Sequence, residues 1–573
     1  MRLGFLLSIV LAVHNTVDAT VVTGRRSASN ATILTPDFVE FVQEIVDADQ
    51  IQGLTMAVVY KNEPAELGAW GIKSENGTNM TTDAFLSASL GIVIDDFAHG
   101  RNTTPLPAGL STLTWKTKVA DILPNDWNLM DPWASQKANL IDILSHVSGL
   151  SRNDYSYKRN YSVSDVTRNL RNLRPTFELR EQWQYTNQMY MVGAHVVSTL
   201  SGVRFVDFVN NRIFKPLSMG SSTYSINAAI QTGRFTDTWT SFGRSIPHWN
   251  VEEFVDLMAG PAGVISSVED LVLHYCIFDL RFNQALWIRV FLNGGIDPTT
   301  NVTIIPSAAF DAVTSAHSIA DPGTSAQSST EVYGLGWARL SYEGHDVILH
   351  NGGAPGVTSL IVAAVEDGIG IVVLVNADAK DESALNIILK VAEKAFGSAN
   401  SSSTPPANPS IVSRSTLPRH AGVAPRADSP GTPSSLDLAG TYYSAGYGAA
   451  VLCNMQSSCP SCQSVLDDFR AVNKSLSSNS TDLFASWDSP WVAHAQFTHT
   501  NTSQYLIYLG TVYPEGYGKN TTPFSTLEPA TIAQFVVENE KVVGFGFNDT
   551  VDSDLTQGGS VEETSQVWFV KQA

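Results

Sequence analysis

The chain has 573 residues, 43% hydrophobic and 16% charged, a composition that excludes a disordered protein and a length that exceeds one ordinary core. Two globular units are therefore expected. A formal charge of −20 repels phosphate backbones and anionic bilayers, so neither nucleic acid nor membrane is an expected partner. At the N-terminus Arg2, an apolar run over 3–13 and Val17-Asp18-Ala19 read as a signal peptide spanning 1–19. No later stretch reaches roughly 18 uninterrupted apolar residues. Asn-x-Ser/Thr sequons at Asn30, Asn102, Asn160, Asn301, Asn473, Asn501 and Asn548 fit a secreted, extracellular glycoprotein.

Beyond the signal, hydrophobic spacing predicts a helix over 36–50, then strands over 54–60 and 67–72 around the turn Asn62-Glu63-Pro64. An apolar helix follows over 84–97. Further helices are expected at 138–145, 163–173 and 188–200, the last stopped by Ser201-Gly202. Strands return at 334–342, 346–350, 359–365 and 369–376, and a helix over 380–396 closes the unit. Strands at both ends with helices between predict an α+β domain over 30–397: an antiparallel sheet, flanking helices and a helical subdomain. Ser and Pro dominate 398–435, which reads as a linker. From 436 to 573, short strand-like runs at 505–508, 534–537, 542–547 and 566–570 predict a small all-β domain, barrel or sandwich.

Three of the four cysteines, Cys453, Cys459 and Cys462, cluster in that second unit. A local disulfide from Cys453 to Cys459 or Cys462 is expected in an oxidising compartment. Cys459-Pro-Ser-Cys462 also has the spacing of a redox or metal half-site, but no second pair completes a zinc set. Cys276 reads as a buried thiol. No metal or organic cofactor is implied.

Four segments of the first unit carry polar residues in an order that suggests chemistry. They are Ser145-His146-Val147-Ser148-Gly149, Tyr185-Thr186-Asn187, Pro261-Ala262-Gly263-Val264-Ile265-Ser266-Ser267, and the run from Tyr333-Gly-Leu-Gly-Trp337 to His350-Asn351-Gly352-Gly353. Each alone is weak. A Tyr-x-Asn triplet recurs by chance, a histidine near a helix C-terminus is commonly a cap or a satisfied structural residue favoured by the dipole, and Gly352-Gly353 suits any turn.

Together and in this order, they resemble the serine β-lactamase and penicillin-binding-protein-like family, closest to its class C and esterase-like branch. The resemblance covers roughly 36–397, and the C-terminal unit is similar to the extra β-domain of some secreted members. It implies that Tyr185 relays the proton of the nucleophile and that Asn187 orients the substrate amide. His350, Asn351 and Gly352 would border the substrate pocket, where other members carry Lys-Thr-Gly. The N–H of Gly353 would supply half of an oxyanion hole, glycine permitting close approach. The implied reaction is acyl transfer: a serine opening a helix attacks a carbonyl, with a lysine on the same helix face at i+3.

That pair is missing. No lysine in the chain has a serine three residues before it. The expected helix over 84–97 is preceded by Asn79-Met80-Thr81-Thr82-Asp83, which puts Met80 in the place of the serine and Asp83 in that of the lysine. The strand-like approach to the serine is absent as well. Ser87 and Ser89 have no cation within a turn and read as packing residues. Neither a Gly-x-Ser-x-Gly elbow, a His-Glu-x-x-His helix nor a phosphate loop substitutes. His494 and His499 are expected to decorate strands. Loss of a nucleophile costs orders of magnitude in rate, and loss of its oxyanion N–H adds roughly 3 kcal/mol to the barrier.

The expected function is thus a secreted serine hydrolase relative acting on ester, peptide or β-lactam carbonyls, inactive as written. His350 in place of lysine leans towards esters or peptides, and the partner is a small-molecule or peptide acyl substrate. An in-frame loss from the coding sequence accounts best for so clean a gap. A non-catalytic ligand-binding relative and a transacylase are the alternatives. The sequence fixes no oligomeric state.

Overall fold

The computed structural model describes residues 20–23, 32–71, 78–80, 83–272, 287–397, 437–501, 503–548 and 559–572. The expected signal peptide and linker, Cys276, Asn30 and Thr81-Thr82 lie outside the described residues.

A nine-stranded antiparallel sheet forms the frame of the first unit among the described residues. Its centre is built from Gly53–Tyr60, Ile369–Val375, Val357–Ala364 and His345–Ala354, hydrogen-bonded in that order. Of these, Val357–Ala364 and Ile369–Val375 read as near-continuous Val, Ile, Leu and Ala runs because both sheet faces are covered. Pro36–Ala48 and Asp381–Phe396 bury one apolar cluster against the sheet, and the helical layer that includes Asp83–Ala98 and Asn187–Ser201 belongs to the other.

Asp83–Ala98 is nearly buried all round, which explains why its sequence is apolar without a clear stripe. It sits close to its neighbours. A Cβ on Gly91 would come within 2.4 Å of the Ala309 Cβ, so only glycine allows this approach. Ser87 and Ser89 are fully buried in it as packing residues, with the Ser87 hydroxyl donating to Ala84 O at 3.2 Å.

Several elements differ from the sequence reading at their ends. The helix expected over 163–173 stops at Asn169 and tightens into a 3₁₀ turn at Leu170–Asn172. The run over 334–342 is two pieces, Glu331–Tyr333 and Ala338–Tyr342, split where Gly336 takes φ +88°. A strand-like approach to the Asp83 helix is present after all: Thr78–Met80 pairs antiparallel with Val264–Ser266, Met80 opposite Val264. Its polar sequence hid it.

The second unit is an eight-stranded antiparallel sheet that curls until its ends meet. Cys453, just past one edge strand, exchanges both backbone hydrogen bonds with Phe484 of the other, each 2.8 Å. This nearly closes a barrel and protects its edges. A 13-residue helix, Pro460–Val472, and a short one, Val561–Thr564, accompany these strands, and the disulfide Cys453–Cys462 pins the longer helix beside the closure. Cys459 stays free and exposed.

The barrel is seated on the first unit by aromatic contacts. Trp491 stacks on Trp249 with ring centroids 5.1 Å apart and donates its indole N–H to Tyr157 Oη at 2.5 Å. Tyr447 Oη donates to Asn153 Oδ1 at 2.9 Å, and Gln566 Nε2 to Thr176 Oγ1 at 2.9 Å.

Candidate active site

Of the residues singled out by sequence, Tyr185, His350, Tyr333 and His146 meet where the Asp83 helix approaches the His350 strand. Asp83 is the first residue of its helix, and its side chain is fully buried. Gly336 makes this possible. Its φ of +88° suits glycine, and a Cβ there would lie 2.7 Å from Asp83 O.

Tyr185 donates its hydroxyl to Asp83 Oδ2 at 2.8 Å. His350 Nε2 lies 3.1 Å from the same oxygen and 3.1 Å from Tyr333 Oη. His350 Nδ1 faces the carbonyl of Asn351 at 2.7 Å, so that nitrogen carries a hydrogen. Burial first, and the Asp83 charge second, pushes the Tyr185 phenol well above its usual range. The same burial raises Tyr190 and Tyr333. The second carboxylate oxygen of Asp83, Oδ1, has no hydrogen-bond partner among the described residues.

His146 completes the packing. It holds φ +58°, and its ring lies 4.3 Å from that of Tyr185 and 4.9 Å from that of Tyr190. Its Nδ1 accepts the Thr186 N–H at 3.1 Å. Burial pulls its pKa well below the ordinary histidine value, so a neutral ring is favoured. Of the two expectations for His146, cap or structural residue, its geometry fits the second: a buried ring packed against the Tyr185 turn.

Asn187 is held differently. Its Nδ2 donates to Asp154 Oδ1 at 2.8 Å, and Arg152 Nε pairs with Asp154 Oδ2 at 2.8 Å. The Arg152 guanidinium also lies 5.2 Å from the centre of the Tyr185 ring. Asp154 and Arg152 were not distinguishable in sequence, since a charged pair in a loop carries no periodic signal. Asn351 follows His350 by one residue and therefore faces the other side of the sheet, where Nδ2 is 3.3 Å from Asp381 Oδ1. Gly352 pairs with Ser359 and Gly353 with Thr358, and Gly353 borders an open cleft.

The cluster thus joins Tyr185, His350, Tyr333 and His146 around an anion. A carboxylate, a phenol and an imidazole can hold and pass a proton, but acyl transfer of the implied kind needs a hydroxyl beside an amine. Lys380, the one buried lysine among the described residues, donates its amine to Asp49 O and Ser241 O at 2.7 and 2.9 Å.

Comparisons with known proteins bear on this arrangement. A sequence profile described as Beta-lactamase matches residues 110–395, beginning beyond the Asp83 helix. The chain is 25% identical over 360 residues to unguisins hydrolase ungD' of Aspergillus campestris (strain IBT 28561), covering 60% of this chain and 62% of that protein. It is 24% identical over 280 residues to penicillin-binding protein 4* of Bacillus subtilis (strain 168), covering 45% and 55%. The chain therefore spans less than two thirds of the length of these curated relatives. Among solved structures, the octameric penicillin-binding protein homologue from Pyrococcus abyssi superposes with a TM-score of 0.51 at 12% identity, over 93% of this chain and 99% of that one. That likeness is one of fold, and it extends through both units.

Proposed function

Because the chain belongs to the β-lactamase family, we propose that it is a secreted acyl-serine hydrolase relative whose chemistry is disabled in the polypeptide as written. The single observation that carries this reading is Asp83: a buried carboxylate occupies the place where the mechanism requires an amine, with Tyr185 and His350 both turned onto it. The hydrolase among its relatives supports the reaction class.

In the intact mechanism, a serine oxygen at the start of the helix bonds to the substrate carbonyl carbon. Its proton passes through the amine and Tyr185 to the departing group, whose bond to the acyl carbon breaks. The N–H groups of the serine and Gly353 stabilise the oxyanion, Asn187 orients the substrate amide, and His350 with Gly352 borders the pocket. Water then releases the acyl group. An aspartate at position 83 supplies no amine to shuttle the proton, and Met80 stands three residues before it where the serine belongs. The carbonyl in that mechanism belongs to an ester, peptide or β-lactam, and His350 where other members carry lysine leans towards esters or peptides.

The test has two arms. For the chain as written, p-nitrophenyl acetate gives no burst and a fluorophosphonate probe labels no serine. A chain carrying a Ser-x-x-Lys segment between Thr82 and Ala84, matching what the mature transcript encodes, gives both. Labelling of the unaltered chain at any serine overturns the proposal. A ligand-binding relative without chemistry is favoured instead if the transcript has no such segment.

A further inference from the structure

Where the barrel meets the first unit, it leaves a concave cleft walled by both. The cleft begins at Gly353–Pro355, the strand end that borders the acyl site in the reading above, and its far wall is barrel: Trp491, Tyr513 and Glu528. Tyr155 adds an aromatic face from the first unit, and Phe242 stands 53% exposed at the rim, edge-on to Phe524 of the barrel.

The chemistry of this wall is uneven. Its aromatic lining is joined by the Asp378 carboxylate, which accepts the Gly356 N–H at 3.3 Å. Burial pushes Asp378 up to about 6, and the Glu528 charge adds to the rise. No lysine or arginine lines the cleft among the described residues; Lys380, hydrogen-bonded to the Asp49 and Ser241 carbonyls, opposes the rise of Asp378 through its charge, and Arg244 stacks on the Phe524 ring at 4.0 Å. The cleft is therefore aromatic and anionic together, in a chain of charge −20 that draws cations towards it.

We propose that this cleft binds an aromatic or alkyl group carrying a protonated amine, so that the barrel selects cationic substrates by their amine-bearing end. The amine sits against Asp378 and Glu528, and the faces of Trp491 and Tyr513 add cation–π attraction. The proposal rests on the reading of Gly353 as the edge of the acyl site, but binding needs no nucleophile.

The experiment uses the full chain as written, titrated with tryptamine and its isosteres tryptophol and indole-3-propionate, and followed by calorimetry. Tryptamine is expected to saturate one site at least tenfold more tightly than either isostere. Asp378→Asn should erase that preference, and Glu528→Gln should reduce it two- to threefold. Phe242→Lys, a change at an exposed rim position, carries a tethered amine into the cleft and should weaken tryptamine at least tenfold. Equal binding of all three probes, absence of saturation, or unchanged tryptamine affinity in Phe242→Lys overturns the proposal. Because these readouts involve no catalysis, their failure leaves the acyl-transfer reading standing. Failure of the restored serine to react leaves the cleft standing.

Discussion

Asp83 and His350 face each other across 3.1 Å in a site from which water is excluded, and Tyr185 reaches the same carboxylate oxygen from the other side. A buried group of this kind is costly to create and more costly to break, because removing one member strands the rest. Asp83→Ala leaves the Tyr185 hydroxyl without its acceptor and empties the space that His350 Nε2 faces. It should lower stability by about 3 kcal/mol. Asp83→Asn keeps a carbonyl oxygen there and should cost about 1 kcal/mol. Urea denaturation reads both as shifts of the midpoint at constant slope, and equal losses in the two variants would refute the role of Asp83 as acceptor for Tyr185.

The Asp378 carboxyl makes stability depend on pH in a defined direction. Its folded pKa is raised from 3.8 to about 6, so the folded state holds the proton more tightly than the unfolded one. The contribution is therefore fully present below about pH 4 and is lost as pH rises through about 6. The shift corresponds to at most about 3 kcal/mol. Other carboxylates act oppositely: Asp126, through His195, Ser164 and Arg168 against burial, and Asp165 through Ser162 are held below their usual range. The clean readout is thus the difference between wild type and Asp378→Asn. The variant should match wild type at pH 4 and exceed it at pH 7.5, by melting in matched buffers. Parallel profiles would show that Asp378 does not titrate in this window.

The disulfide Cys453–Cys462 closes a loop of sequence separation 9 and ties Pro460–Val472 to the strand junction at Phe484. Chain-entropy reasoning assigns such a loop about 2–3 kcal/mol. Cys453→Ser should lose about that much, whereas Cys459→Ser should lose almost nothing. The Cys459 thiol is exposed and held below its usual range by Ser461 and the Cys462 N–H. Iodoacetamide should modify Cys459 without prior reduction, as peptide mass spectrometry would read. Modification of Cys453 or Cys462 under the same conditions would assign the bridge differently.

How much of this was legible in advance follows from the range over which each signal acts. The central strands announced themselves, because a run such as Ile369–Val375 is apolar at every position and has no other home. The convergence of Tyr185 and His350 was inferable only from motif order, since 165 positions of chain separate them and no local pattern links them. Position 83 was legible as a vacancy for lysine, but its capture of both side chains required the structure. Thr78–Met80 escaped because a strand held by one partner needs no apolar alternation. The Pro460–Val472 helix escaped because the surrounding strand spacing argued against it, although Cys459 caps it and Pro460 begins it. Asp378 carried no signal at all. Its environment is assembled from Ser241, Gly356 and a barrel strand far along the chain.

The joint between the units should depend on Trp491 more than on any charged contact. Its ring is 9% exposed, stacks on Trp249 at an interplanar angle of 15°, and satisfies Tyr157 Oη, itself fully buried. Truncation would open a cavity and leave a buried phenol short of a partner, a combination worth about 3–5 kcal/mol. That loss falls on the interface and not inside either core, so it should uncouple the two units. Calorimetry is expected to show one transition for the wild type and two for Trp491→Ala, the barrel melting apart from the first unit. Tyr443→Ala, on an exposed barrel position, serves as the control and should leave the single transition in place. A single, uniformly lowered transition in Trp491→Ala would mean that the indole supports one unit internally, and the cleft beside Gly353 would then owe its shape to other contacts.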